Sequence, residues 1–166
     1  MISMLKTLFA YNKQRNKRVL EQAAKLTQEQ FDAPSKIDEM NLRELLYHTM
    51  RTEWGWRSMA EKGTLPGPPP ELDAFSTVED LQTRWLEEDK AMGAYLESLS
   101  EEELKTVMEL PDPKGNVHHF TRWGMLMHVL MHSMQHRSEA AVVLTEFGFS
   151  PGDMDLIYFL MGPERG

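Results

Sequence analysis

The chain has 166 residues, no cysteine and a net charge of −8. The length predicts one domain over residues 1–166, and the missing cysteines exclude disulfides, thiolate metal sites and a cysteine nucleophile. The negative charge argues against nucleic acid or an anionic membrane as a partner. Since the chain also lacks a signal pattern and a membrane-length apolar run, we expect a soluble, cytoplasmic protein.

Apolar side chains at helical spacing predict a first long helix over residues 3–26. Asn12 and Asn16 fall in the middle of its apolar stripe, where a polar side chain needs a partner. We favour an interhelical hydrogen bond over the alternative, which is that they line a polar pocket. A polar connection over residues 27–40 follows, with a short helical turn expected at 28–31.

A capping box formed by Asn41 and Glu44 predicts a second long helix that ends near Lys62. His48 lies on its inner side and is expected to face the core. Glu53 admits two interpretations. It is either a tilted surface residue, which we favour, or a carboxylate that orients a ligand or acts as a catalytic base.

A third helix is predicted over residues 76–99, starting from a capping box of Ser76 and Glu79. Its apolar spacing is interrupted at Glu88 and Asp89, and we interpret this gap as a solvated notch rather than a polar lining. A solvated turn is expected at residues 100–103.

Two short strands on either side of the turn at 111–116 predict a small β-hairpin before the fourth helix. His118 and His119 lie in its second strand and are expected to be exposed. After the fourth helix, a short last helix is expected to start at residues 150–153 and to contain residues 154–160.

The fourth long helix, over residues 121–147, ends at Gly148 and carries His128, His132 and His136 at four-residue spacing. Residues four apart lie on one helix face, and a neutral imidazole is the commonest protein ligand for transition metals. His128 and His136 are about 12 Å apart along the axis, too far to share one ion at bonds of roughly 2.1 Å. At most one adjacent pair can therefore bind an ion. The alternative to metal binding is that these are buried histidines with hydrogen-bond partners in the core.

These elements predict an all-α protein, a four-helix bundle with a short fifth helix and the hairpin. Bundle cores hold metal sites made from facing helices, and His48 is the histidine of another helix that could join the pair. Three histidines would leave a tetrahedral ion one open position, as in catalytic zinc sites.

The run HVLMHSMQHR at residues 128–137 occurs together with Tyr11-Asn12 and with LLYH at residues 45–48. With the closing segments 144–149 and 153–160, these features resemble the DinB/YfiT-like superfamily, bacterial four-helix bundles described as metal-dependent hydrolases. The resemblance covers nearly the whole chain. Its most specific part is the run that ends in His-Arg.

The resemblance implies that His48, His132 and His136 bind a divalent metal, and the ligand type favours Zn²⁺ or Ni²⁺. Asn12, Asn16 and His128 are then expected to line the pocket or to support the ligands. Related bundles include enzymes with a low-molecular-weight thiol as co-substrate, and family members often form homodimers. The sequence departs from the family at Ser138-Glu139, where Gly-Gln is common.

Three functional hypotheses follow. The first is a metalloenzyme, either a hydrolase or a thiol-dependent transferase acting on a small-molecule substrate, with Glu53 as a candidate base. The second is a non-catalytic, stress-related bundle that binds a small molecule or a metal. The third is a structural bundle whose histidines are polar residues of the core.

Overall fold

The computed structural model describes residues 1–35, 39–64, 67–112 and 114–162. These residues are mostly helical, with one two-stranded antiparallel sheet. In chain order the elements are α1 (Ile2–Ala23), α2 (Gln28–Phe31), α3 (Leu42–Lys62), a 3₁₀ turn (Leu72–Ala74), α4 (Val78–Ser98), α5 (Glu101–Lys105), β1 (Val107–Pro111), β2 (Val117–Thr121), α6 (Arg122–Glu146) and α7 (Leu156–Leu160). None of the helices in these ranges has the length and apolar character needed to cross a membrane.

Side-chain caps set the starts of several helices. The predicted box at α3 is confirmed, since the Asn41 side chain accepts from the Glu44 N–H and Glu44 accepts from the Asn41 N–H, both at 2.9 Å. The box predicted at Ser76 was wrong by one residue, because Thr77 and Asp80 form it instead. With the helix starting one residue later, Val78 is its first residue and lies in the core.

The turn expected at residues 100–103 is the start of α5. Ser100 caps this short helix by accepting from the Glu103 N–H at 3.2 Å. The glutamates of its first turn complement the positive end of the helix dipole, and Leu104 anchors it at 0% exposure. Residues 100–103 are exposed, as predicted, but the turn assignment was wrong, because a capped and anchored segment of this length can close one helical turn.

The hairpin is confirmed, with β1 and β2 antiparallel and Met108 opposite Phe120. Its turn is stabilised by Asp112, whose carboxylate accepts from the Lys114 and Asn116 N–H groups. Pro113, within the predicted turn, lies outside the described residues. His118 and His119 are exposed, as expected.

The last helix begins at Leu156, later than expected, because side chains of α1 bind the preceding backbone. Tyr11 donates to the Met154 carbonyl at 2.5 Å, and Arg15 donates to the Asp155 carbonyl at 3.1 Å. These contacts fix residues 153–155 in a non-helical conformation against α1.

The four long helices pack in a closed cycle, in which α6 contacts α1 and α3, and α4 contacts the same two helices. Two apolar clusters fill the space between them, one around Leu46 and Trp85 and the other around Phe9 and Leu126. A polar layer of buried side chains separates the two clusters: Asn12, Asn16, Thr49, Glu53, Arg57, Glu88, Ser133, His136 and Arg137.

Glu88 belongs to this polar layer, so the solvated notch predicted there was wrong. Its side chain is 2% exposed and accepts two hydrogen bonds from the guanidinium of Arg57, on the neighbouring helix α3. The spacing of apolar residues along α4 does not reveal this partner, because the partner comes from another helix.

Candidate metal centre

Three histidines from two packed helices converge, and one of them, His136, belongs to the polar layer. His48 lies on α3, and His132 and His136 lie one turn apart on α6. In the described part of the chain, they form the group of side chains able to share an ion, with ligand nitrogens within 4.8 Å of one another. We refer to these three histidines, which could hold a metal ion, as the metal centre.

The distances within the metal centre suit a small divalent ion. The Nε2 atoms of His48 and His132 lie 3.1 Å apart. Two ligands of a tetrahedral ion with bonds of 2.0–2.1 Å lie about 3.3 Å apart. The three imidazoles could therefore hold a divalent metal ion.

His132 is held in its neutral form, which is the form that binds metals. Burial, followed by the neighbouring His136, His48 and His128, lowers the pKa of His132 to about 4. Its Nδ1 is buried and finds no hydrogen-bond partner among the described residues. The polar contact of this ring is thus made by Nε2, on the edge that faces His48.

His136 is oriented by a carboxylate on its own helix. Its Nδ1 lies 2.5 Å from Oε2 of Glu139, an arrangement in which Nδ1 donates and Nε2 remains free to accept or to bind an ion. No role for Glu139 was predicted from the sequence. The signal was its position three residues after a candidate ligand, which places both side chains on one helix face.

Replacing Glu139 with alanine is expected to weaken zinc binding by about 10- to 100-fold, because the hydrogen bond that fixes the His136 ring is lost. Glutamine keeps an acceptor without the charge, so Glu139→Gln should lie between alanine and the wild type. Competition with a chromophoric zinc chelator measures the affinity. Glu146→Gln, an exposed change on the same helix, is the control, and equal affinities in all four proteins would contradict the positioning role.

His128 lies beside the metal centre. Its ring centroid is 5.6 Å from that of His132 and 4.7 Å from that of Trp56, on which it packs edge-on. The residue is exposed, although partial burial lowers the pKa of its imidazole. Trp56 also packs edge-on against Phe120 of the hairpin, at 5.6 Å. His128, Trp56 and Phe120 thus form an aromatic wall next to the ligands.

Asn12 and Asn16 make the interhelical hydrogen bonds that we favoured from the sequence. Their amides donate to Oε1 of Glu53 at 2.9 and 3.0 Å, and their oxygens accept from Arg137. Arg137 directly follows His136 in α6. The network therefore fixes the helix turn that carries this histidine.

Glu53 is buried, at 4% exposure, so the favoured surface interpretation was wrong. Besides the two asparagines, it accepts from Trp85 Nε1 at 2.8 Å and from Ser133 Oγ at 2.6 Å. Four donors suit an ionised carboxylate, which only accepts hydrogen bonds. Its role as a catalytic base stays a prediction, whereas the geometry gives it contacts with all three other long helices.

The DinB family model matches residues 1–165. Among curated proteins, none matches the chain. The match covers α1, α3 and α6 with all three histidines of the metal centre. The chain belongs to the DinB family.

Proposed function

We propose that this protein is a metal-dependent enzyme that binds Zn²⁺ or Ni²⁺ through His48, His132 and His136. The observation that carries the proposal is the convergence of their ligand nitrogens within 4.8 Å. Three protein ligands leave a tetrahedral ion one open position, which is typical of catalytic rather than structural sites.

The reaction we propose is either hydrolysis or group transfer to a low-molecular-weight thiol, on a small-molecule substrate. When bound, the ion would supply Lewis-acid activation of water or thiol at the open position. The chain's own residues would orient the ligands. Glu139 fixes the ring of His136, and His128, part of the aromatic wall with Trp56 and Phe120, packs beside His132.

The closed cycle of contacts among α1, α3, α4 and α6 supports a four-helix bundle as the finer architecture. In such bundles, metal sites are built in the core from side chains on facing helices, and α3 and α6 contribute the histidines here. The homodimer implied by the family resemblance stays a prediction.

Metal content is the first test. We expect untagged wild-type protein to contain about one ion per chain by mass spectrometry, and His48→Ala and His132→Ala to contain almost none, since two imidazoles bind too weakly to survive purification. His119→Ala is the control, because this histidine is exposed on β2 and contacts Glu109 instead.

A wild type without metal, and without uptake on addition of zinc or nickel, would overturn the metalloenzyme proposal. If metal is bound, ester and amide substrates should be tested with and without a low-molecular-weight thiol, in wild type and in His132→Ala. Turnover that requires the thiol identifies a transferase, and turnover without it a hydrolase. Spectroscopy showing a fourth protein ligand would favour the non-catalytic binding hypothesis.

A further inference from the structure

A groove runs along the seam between α1 and α4, apart from the metal centre. It consists of two adjoining cavities with volumes of about 190 and 340 Å³ that share Lys13 and Asp89. None of the three histidines of the metal centre lines either cavity. A ligand in this groove would therefore contact a different set of side chains.

Most of the exposed wall surface of the groove is apolar, although many of its lining residues are charged. Phe9, Met92 and Leu96 line the first cavity. Leu20, Trp85 and Leu86 line the second cavity. Apolar wall surface combined with polar groups that orient the ligand is typical of small-molecule sites.

The carboxyl groups along the groove outnumber its lysines, and one of them has no partner among the described residues. Five carboxyl groups and three lysines line it, and most of the carboxyl groups have partners: Glu21 pairs with Lys17, Glu97 with Lys6, Glu88 with Arg57, and Glu53 with its four donors. Asp89 is the exception. It is half-buried and makes neither a hydrogen bond nor an ion pair with any part of the chain that the structure describes.

The surroundings of Asp89 favour the arrival of a cation. Burial, together with repulsion from Glu53 and Glu88, raises the pKa of Asp89 to about 7, and Lys13 only partly offsets this. Lys13 is exposed and forms no ion pair with Asp89. A half-buried carboxylate without a donor is unfavourable, so a ligand that supplies a positive N–H group would be stabilised here.

We propose that this groove binds an organic ammonium compound, whose N–H groups donate to Asp89 while its apolar tail packs along Leu20, Trp85 and Leu86. The groove would thus bind the positive charge of the ligand at Asp89, where the two cavities meet, and the apolar tail of the ligand in the second cavity. This site is separate from the metal centre and does not depend on a bound ion.

Hexylammonium is a suitable probe, with 1-hexanol and hexanoate as neutral and anionic analogues of the same length. Titrations of the full-length, metal-free protein at about pH 8, followed by calorimetry and NMR, should show saturable binding of hexylammonium at least about tenfold tighter than of hexanol. Asp89→Asn should abolish this preference. Glu87→Gln, an exposed change on α4 outside the groove, is the control and should leave the preference intact.

Two further variants separate the alternatives. Lys13→Met removes a nearby positive charge, so it should strengthen hexylammonium binding; weaker binding would show that Lys13 helps to form the site, and would overturn the proposal. His132→Ala should bind the probe as the wild type does. Equal binding to wild type and Asp89→Asn, tighter binding of hexanoate, or no saturable binding of hexylammonium would each overturn the proposal, provided that thermal unfolding shows Asp89→Asn to be folded.

Discussion

Replacing Glu53 with alanine is expected to lower the free energy of unfolding by about 4 kcal/mol or more. The carboxylate is 4% exposed and accepts from Asn12, Asn16, Trp85 and Ser133. Alanine would leave four buried donors without an acceptor, at about 1–3 kcal/mol each before the structure relaxes. Because a domain is stable by only about 5–15 kcal/mol, this change could unfold the protein.

The milder variant Glu53→Gln allows the loss of stability to be measured in a folded protein. Glutamine retains one acceptor oxygen but turns an amide N–H₂ toward groups that also donate, so we expect a loss of about 2–3 kcal/mol in urea unfolding. Glu87→Gln, at an exposed position, should change stability by less than about 0.5 kcal/mol. Losses that small in both Glu53 variants would contradict the structural role and strengthen the hypothesis of a catalytic base.

Replacing Arg57 with methionine is expected to lower the free energy of unfolding by about 3–5 kcal/mol. Two nitrogens of the guanidinium donate to both oxygens of Glu88, and the third, Nη1, donates to Glu61 at 2.8 Å. Arg57 and Glu88 are 8% and 2% exposed. The loss arises because the carboxylate of Glu88 would remain buried without its countercharge.

The loss should depend on pH. Burial already raises the pKa of Glu88 above its ordinary value, although Arg57 opposes this, so removing Arg57 should raise that pKa further. A carboxyl group with a raised pKa keeps its proton in the folded state after the unfolded state has released it. Stability then falls as pH rises above the ordinary value, so the deficit of Arg57→Met should be larger at about pH 8 than at about pH 5.

Urea unfolding of three variants at both pH values tests this. The double variant Arg57→Met/Glu88→Leu removes both charges and should recover most of the stability, since an apolar pair can replace a buried ion pair. Arg84→Met removes a more exposed pair with Glu87 and should change stability by less than about 1 kcal/mol. An Arg57→Met protein as stable as the wild type would contradict the importance of the pair.

Features that depend on neighbouring residues of one segment could be predicted from the sequence. The long helices, the box at Asn41 and Glu44 and the hairpin are confirmed, because helical spacing, caps and turns are determined within a few residues. Local rules also explain the misplaced start of α4. Thr77 and Asp80 form as good a capping box as Ser76 and Glu79, and the two boxes differ by one residue.

The candidate metal site could be predicted only in part from such local patterns. The spacing of His132 and His136 predicts that both lie on one face of a helix, and the DinB family resemblance implied His48 as their partner. The position of Glu139, three residues after His136, is a further local signal of a positioning role, because it places both side chains on one helix face. Whether α3 and α6 face each other at the height of these residues depends on how the helices pack.

The helical class and the histidine pair on one helix could be predicted from the sequence because they follow from patterns within single segments. The family followed from motifs in several segments taken together. The roles of Glu53 and Glu88, and the convergence of His48 with that pair, depend on how the helices pack. Glu53 and Glu88 looked solvated because periodicity gives a residue's direction on its own helix, not what lies opposite it. Their partners come from other helices, and such contacts are set by the packing and relative height of those helices.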